Sequence, residues 1–294
     1  MTQIPRPEHP QPQMKREHWK NLNGEWDFSF DFGCSGIDQK WQEGKTDWEK
    51  KILVPFCPES DLSGIGYKDF IPGVWYHRTI TLTGEELKGD LFLHFGAVDY
   101  DARVWINGVE AGRHQGGYVA FTFDITKLVK EGENDITLFA ADDVRSGKQP
   151  KGKQSHFFYS RGCDYTRTTG IWQTVWLEWV PESYIEKVQY YPNLAEATLG
   201  IKAVVKGQGT LEAKAFYGGE PCGSVSAKSE DGTVTMTLPL SRLEKWEPGH
   251  GRLYDLTLTY GEDKVESYFG MREVRLDGEK FLINDKSVFQ RLVL

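Results

Sequence analysis

Three features of the sequence predict an all-β protein. Short runs alternate apolar with polar residues, Gly, Asn, Asp or Pro closes most of them, and Asn107-Gly108 sits between two such runs as a hairpin turn. The opening residues, MTQIPRPEHPQPQ, hold four prolines within a dozen positions and little to pack, which predicts an extended arm with regular structure beginning near Trp19. Leu91, Leu93 and Phe95 alternate with Phe92 and His94, placing the two sets on opposite faces of one strand. Ala102 to Ile106 and Val109 to Arg113 flank the Asn-Gly pair, whose residues tolerate the positive φ of a type I′ turn. Phe121, Phe123 and Ile125, then Ile136, Leu138 and Ala140, then Val175, Leu177 and Trp179 continue the series. Only 37–50 leaves room for a short helix.

A boundary is expected near Pro181, because nine of the ten tryptophans lie at or before Trp179 and only Trp246 follows. Beyond it, strand candidates recur around 185–191, 199–205, 211–217, 234–238, 253–259 and 265–269. That spacing suits an immunoglobulin-like sandwich, although no Cys…Trp…Cys pattern marks an antibody-type domain. After Gly270, Phe281-Leu282-Ile283 and Ser287-Val288-Phe289 flank an Asn284-Asp285-Lys286 turn, and the chain runs out on Leu292-Val293-Leu294. Three apolar residues without punctuation are expected where a longer protein is cut.

Composition narrows the function. The 294 residues suffice for about two domains, and the formal charge of −8 has the wrong sign for nucleic acid. No apolar stretch approaches the ~20 residues of a membrane-spanning helix, and the first residues lack a signal-peptide pattern, so a cytoplasmic, non-membrane protein is expected. Cys34, Cys57, Cys163 and Cys222 form no CxxC pair, and the scattered histidines show no metal-ligand spacing. Free, partly buried thiols and no metal are expected. Neither GxGxxG nor GxxxxGK[ST] occurs, so no nucleotide cofactor is expected.

A set of ordered motifs is more specific. Asn21-Leu22-Asn23-Gly24-Glu25-Trp26-Asp27-Phe28, Val54-Pro55-Phe56 with Gly66, Val74-Trp75-Tyr76-His77-Arg78 and Val104-Trp105-Ile106-Asn107-Gly108 are followed by residues 114–121 (HQGGYVAF). Phe123-Asp124-Ile125-Thr126, Gly170-Ile171-Trp172 and Val175-Trp176-Leu177-Glu178 complete the series. Together they resemble the amino-terminal half of glycoside hydrolase family 2, which includes β-galactosidases, β-glucuronidases and β-mannosidases. The resemblance implies a galactose-binding-like jelly-roll over 1–182, an immunoglobulin-like sandwich over 183–271, and over 272–294 the entry to a (β/α)8 barrel.

Retaining glycosidases need two carboxyl groups about 5 Å apart, and in the family both are glutamates on the barrel. Here no Asn-Glu dipeptide precedes a strand and helix alternation, so the chain by itself is expected to be inactive. Its implied role is to support the barrel of an enzyme that hydrolyses terminal β-glycosidic bonds with retention, β-galactosidase- or β-glucuronidase-like. Asp164, six residues before Gly170, matches a family aspartate that holds hydroxyls of the terminal sugar, with Arg167 and Tyr165 as further pocket candidates. The structural alternative has Asp164 pairing with Arg161 or Arg167 to brace a loop. The charges of residues 148–154 (KQPKGKQ) are expected to be solvated.

Other carboxylates carry structural expectations. Asp142 and Asp143, as strand neighbours, point to opposite faces and are expected in a solvated loop, whereas Asp99 and Asp101 would share a strand face near Arg103. Trp26, Trp75, Trp105, Trp172 and Trp176 are expected as core residues of strands. The partners implied are a terminal β-linked sugar and the barrel, with no nucleic acid and no membrane; neither the sugar nor the oligomeric state is legible. A free-standing carbohydrate-binding module is the alternative.

Overall fold

In a computed structural model, which describes residues 4–292, the alternating runs become strands of two compact β units. Of the described residues, one unit contains 4–10 and His18–Trp179, and the other Gln11–Glu17 and 180–292.

Two antiparallel sheets form the first unit. The larger has six strands in the order Lys50–Val54, Gly24–Phe30, Gly73–Leu82, Gly132–Ala141, Asp101–Ile106 and Val109–Gln115. The smaller has Trp19–Asn21, Val175–Val180, Asp90–Phe95 and Phe121–Asp124. Trp26, Phe28, Tyr76, Phe95, Val104, Leu138 and Leu177 belong to one continuous core, and each such side chain contributes roughly 1.5–3 kcal/mol by leaving water. Because strand neighbours face opposite ways, Trp75 cannot join Tyr76 in that core. It packs instead with Trp105 and Phe139 in a second cluster, joined by Ile37, Trp41, Trp48 and Ala141. The six-stranded sheet therefore packs apolar side chains on both faces, on the second only around Trp75. The expected hairpin is present, with Asn107 at φ 52 and Gly108 at φ 79. The segment with room for a helix holds one 3-10 turn, Trp41–Glu43.

The second unit packs three strands, Tyr184–Asn193, Thr198–Lys206 and Thr233–Pro239, with four, Glu220–Lys228, Thr210–Tyr217, Tyr254–Tyr260 and Asp263–Phe269. Tyr254 opens its strand and donates to the Arg242 carbonyl at 2.8 Å while accepting the Glu244 N–H at 2.6 Å, as the tyrosine corner of such sandwiches does. Val274–Asp277, Lys280–Ile283 and Lys286–Ser287 add a small antiparallel sheet. Its second turn is the expected one, with Asn284 and Asp285 at φ 49 and 64. Val293 and Leu294, part of the apolar terminal run, lie outside the described residues.

Several expectations need correction. Regular structure does begin with the strand Trp19–Asn21, but the residues just before it are already anchored: Lys15 bridges Glu266 through backbone bonds, and the buried Arg16 guanidinium meets Asp263 at 2.8 and 2.9 Å. Glu220–Lys228 is a strand that hydrophobic patterning missed, since it lies at a sheet edge and buries only Cys222. Asp99 and Asp101 share no strand: Val98–Asp99 pairs with Gly170–Ile171, and Asp101 binds Arg113 rather than Arg103. Trp172 follows a strand end and is half-buried, with its N–H donated to the Gly117 carbonyl at 2.7 Å. All four cysteines are free, but Cys34 and Cys163 are exposed rather than partly buried.

Candidate functional site

A chain that leaves a strand must give its backbone N–H and C=O groups new partners. Between the end of Gly132–Ala141 and Gly170, a long loop without regular strands finds them in a buried polar cluster. Three carboxylates lie beneath it: Glu59, Asp99 and Asp142 are 3%, 1% and 5% exposed. Each grips the loop. Thr169 N–H donates to Glu59 Oε2 at 3.1 Å, Gln154 Nε2 to Asp99 Oδ2 at 2.9 Å, and Gln149 Nε2 to Asp142 Oδ1 at 2.7 Å.

Burial raises all three acids, because the interior disfavours the charged form. Glu59 is pushed up to about 7. Asp99 reaches about 7, by burial and then by the Asp142 charge, and Asp142 reaches about 6. Glu59 Oε1 and Asp99 Oδ1 are buried with no hydrogen-bond partner. Gly117 must be glycine here, since a Cβ would collide with the Asp99 carboxyl group. Thus Asp142 is not a solvated loop residue; Asp143 beside it is exposed. Gln154, the uncharged end of residues 148–154, is likewise buried.

The predicted pocket residues divide. Arg167 is buried and donates to the carbonyls of Phe157 at 2.6 Å, Ser155 at 3.2 Å, Phe158 at 3.3 Å and Lys68. Its guanidinium also lies over the Phe70 ring, 4.3 Å from the centroid. It ties the loop from inside. Asp164 closes a tight turn with Arg161 through two backbone bonds of 3.0 Å. Its side chain pairs with neither Arg161 nor Arg167, but with Lys151 Nζ at 3.3 Å, which also donates to the Gln154 carbonyl at 2.8 Å. Oδ1 of Asp164 has no partner among the described residues. Tyr165 is 57% exposed, while its backbone is bonded on both sides to Ser155 and Lys153 at 2.7 Å. Exposed Phe158 and Tyr159 lie on the same loop.

The structure therefore joins Asp164 and Tyr165 on one loop surface and withdraws Arg167 into its support. A carboxylate held this way can accept charge-assisted hydrogen bonds from vicinal hydroxyls. The residues that sequence reasoning missed are Glu59, Gln149, Gln154 and Thr169, none of which stands in a patterned run. For Asp142 a signal existed: it directly follows Leu138-Phe139-Ala140-Ala141, the end of a buried strand. Among the described residues, no group of three or more His, Cys, Asp or Glu could hold a metal ion, and no helix is long and apolar enough to cross a membrane.

Fold and loop together define a two-sandwich, all-β protein whose first sandwich presents a braced polar loop. The chain belongs to glycosyl hydrolase family 2: the family's sugar binding domain matches residues 19–181, and a second family 2 domain matches 183–272. It is 25% identical to a β-glucuronidase of Paenibacillus borealis over 286 residues, covering 92% of this chain and 48% of that protein. With the β-glucuronidase of Sus scrofa the identity is 27% over 325 residues, covering 96% and 48%. A Ruminococcus gnavus β-glucuronidase solved in complex with D-glucuronic acid has the same fold, with a TM-score of 0.77 at 21% identity, covering 94% of this chain and 50% of that one. The chain spans about half the length of the curated relatives it matches.

Proposed function

We propose that this chain is the non-catalytic, two-sandwich portion of a β-glycosidase that hydrolyses terminal β-linked sugars with retention. It supports the catalytic barrel and contributes Asp164 to the subsite for the terminal sugar. The relatives favour a glucuronide over a galactoside as the substrate of the whole enzyme. One observation carries the reading: Asp164 is presented on a loop fixed from below by three buried carboxylates and Arg167, with one carboxylate oxygen uncommitted. Such pre-organisation suits an acceptor that must meet hydroxyls in a fixed geometry. The buried acids themselves are sealed from solvent and committed to the loop, so they are poor candidates for the acid and nucleophile that retention requires.

The expected result is that purified residues 1–294 do not turn over aryl β-glucuronides or aryl β-galactosides. Turnover abolished by Asp164→Ala would overturn the reading. The exposed rings of Phe158, Tyr159 and Tyr165 on the loop that carries Asp164 favour a second one, a free-standing carbohydrate-binding module. Calorimetric titration of the parent and Asp164→Ala proteins with glucuronate, galactose and mannose separates the two: binding dependent on Asp164 supports the module, and no Asp164-dependent heat supports an incomplete subsite.

A further inference from the structure

The outer face of the six-stranded sheet carries a groove of about 680 Å3, within the roughly 300–1,000 Å3 range of small-molecule sites. Its floor is a row of hydrogen-bonded polar groups across three adjacent strands. His77 Nδ1 lies 3.1 Å from Asp27 Oδ2, and His77 Nε2 lies 3.0 Å from Asp135 Oδ1. Thr79 Oγ1 donates to the same Asp135 oxygen at 2.9 Å, and Lys51 pairs with Asp27 at 2.7 Å. The floor is rigid because each member is held by at least one other.

One wall comes from the turn and loop at Trp41 to Trp48. The Trp48 indole stacks on the His77 ring at 5.2 Å and 11°. Lys45 brings its ammonium to 4.4 Å from the Trp41 ring centroid and 5.7 Å from that of Trp48, so the place of a cationic ligand between the indoles is already filled. Asp27, Asp135 and Glu43 oppose an anionic ligand. What the groove offers a ligand is a mixed set of donors and acceptors. Gln42 Oε1 is buried without a hydrogen-bond partner, and the Trp48 indole, the Asp135 carboxylate and the Lys130 ammonium line the same groove. Hydroxyl groups both donate and accept, and they satisfy such a set where a purely cationic, anionic or apolar ligand does not.

We propose that this groove is a second carbohydrate-binding site, taking a neutral mono- or oligosaccharide and independent of the Asp164 loop. The two places lie at opposite ends of one strand. Asp135 is near the start of Gly132–Ala141 and Asp142 follows its end, a separation of roughly 20 Å at the usual strand rise.

The test is titration of residues 1–294 with galactose, xylotriose and cellotriose, followed by the Trp indole N–H resonances in 15N NMR. At least one probe should shift the Trp48 signal. Its affinity should fall about tenfold in Asp135→Asn, the loss expected for one hydrogen bond to a charged group, and similarly in Trp48→Phe, while Asp164→Ala leaves it unchanged. Asp135 is more than half exposed, so its substitution should not disturb folding. No response to any probe, or affinities equal in all variants, would overturn the proposal. Binding lost only in Asp164→Ala would also overturn it, yet would leave the reading of the Asp164 loop intact.

Discussion

Glu59 and Asp99 are held in an interior that favours their protonated forms, and this has a measurable consequence. Both have folded values of about 7, above the ordinary carboxylate range of the unfolded chain. The folded state therefore binds protons that the unfolded state has already released. Their stabilising contribution is complete below about pH 4 and is lost as pH rises through about 7. Melting temperature should accordingly fall between pH 5 and pH 8, and the Glu59→Gln/Asp99→Asn double variant should flatten that slope. An unchanged slope in thermal melts would show that the two acids do not sense folding. Arg16 presents the opposite case, a buried charge matched by Asp263 and the Ile185 carbonyl. Arg16→Ala leaves Asp263 buried without its main partner, and should cost about 3–5 kcal/mol in denaturant unfolding.

At the scale of elements, the loop from Ala141 to Gly170 and the Tyr254 corner show how side chains replace absent ladders. Tyr254 OH serves one backbone carbonyl and one backbone N–H at once. Tyr254→Phe removes both bonds while keeping the ring stacked on Phe269 at 4.8 Å. The expected loss is about 1–3 kcal/mol, read from urea unfolding. The strands themselves were legible wherever one face was buried: Leu91, Leu93 and Phe95 are fully enclosed, as their alternation implied. Glu220–Lys228 was not, because an edge strand with small and polar residues leaves little hydrophobic signal. The loop's anchors were equally hidden, since Gln149, Gln154 and Thr169 acquire their roles only by meeting acids distant in sequence.

For the molecule as a whole, the chain's extent relative to its relatives places the test of Asp164 in a longer protein. Joined to the downstream half of a related β-glucuronidase, Asp164→Ala should lower kcat/KM for an aryl β-glucuronide by about 10–100-fold, the loss of one charge-assisted hydrogen bond to substrate. An unchanged kcat/KM would remove Asp164 from the subsite.

Sequence alone determined that the protein is all-β, that it carries two sandwiches, and that its motifs belong to family 2. The all-β class follows from local alternation and turn chemistry, which each segment carries in itself, whereas the family and the first sandwich were implied by the resemblance of the ordered motifs. Tertiary structure decided what the polar residues do. Arg167 and Asp164 stand three residues apart, yet one is buried against backbone carbonyls and the other is half-buried beside Lys151. Asp99 and Asp142 became a buried couple, and Asp27, His77 and Asp135 a single row, because strand pairing brings distant carboxylates together. The pairing partner of a charge is a long-range property, and no local pattern records it.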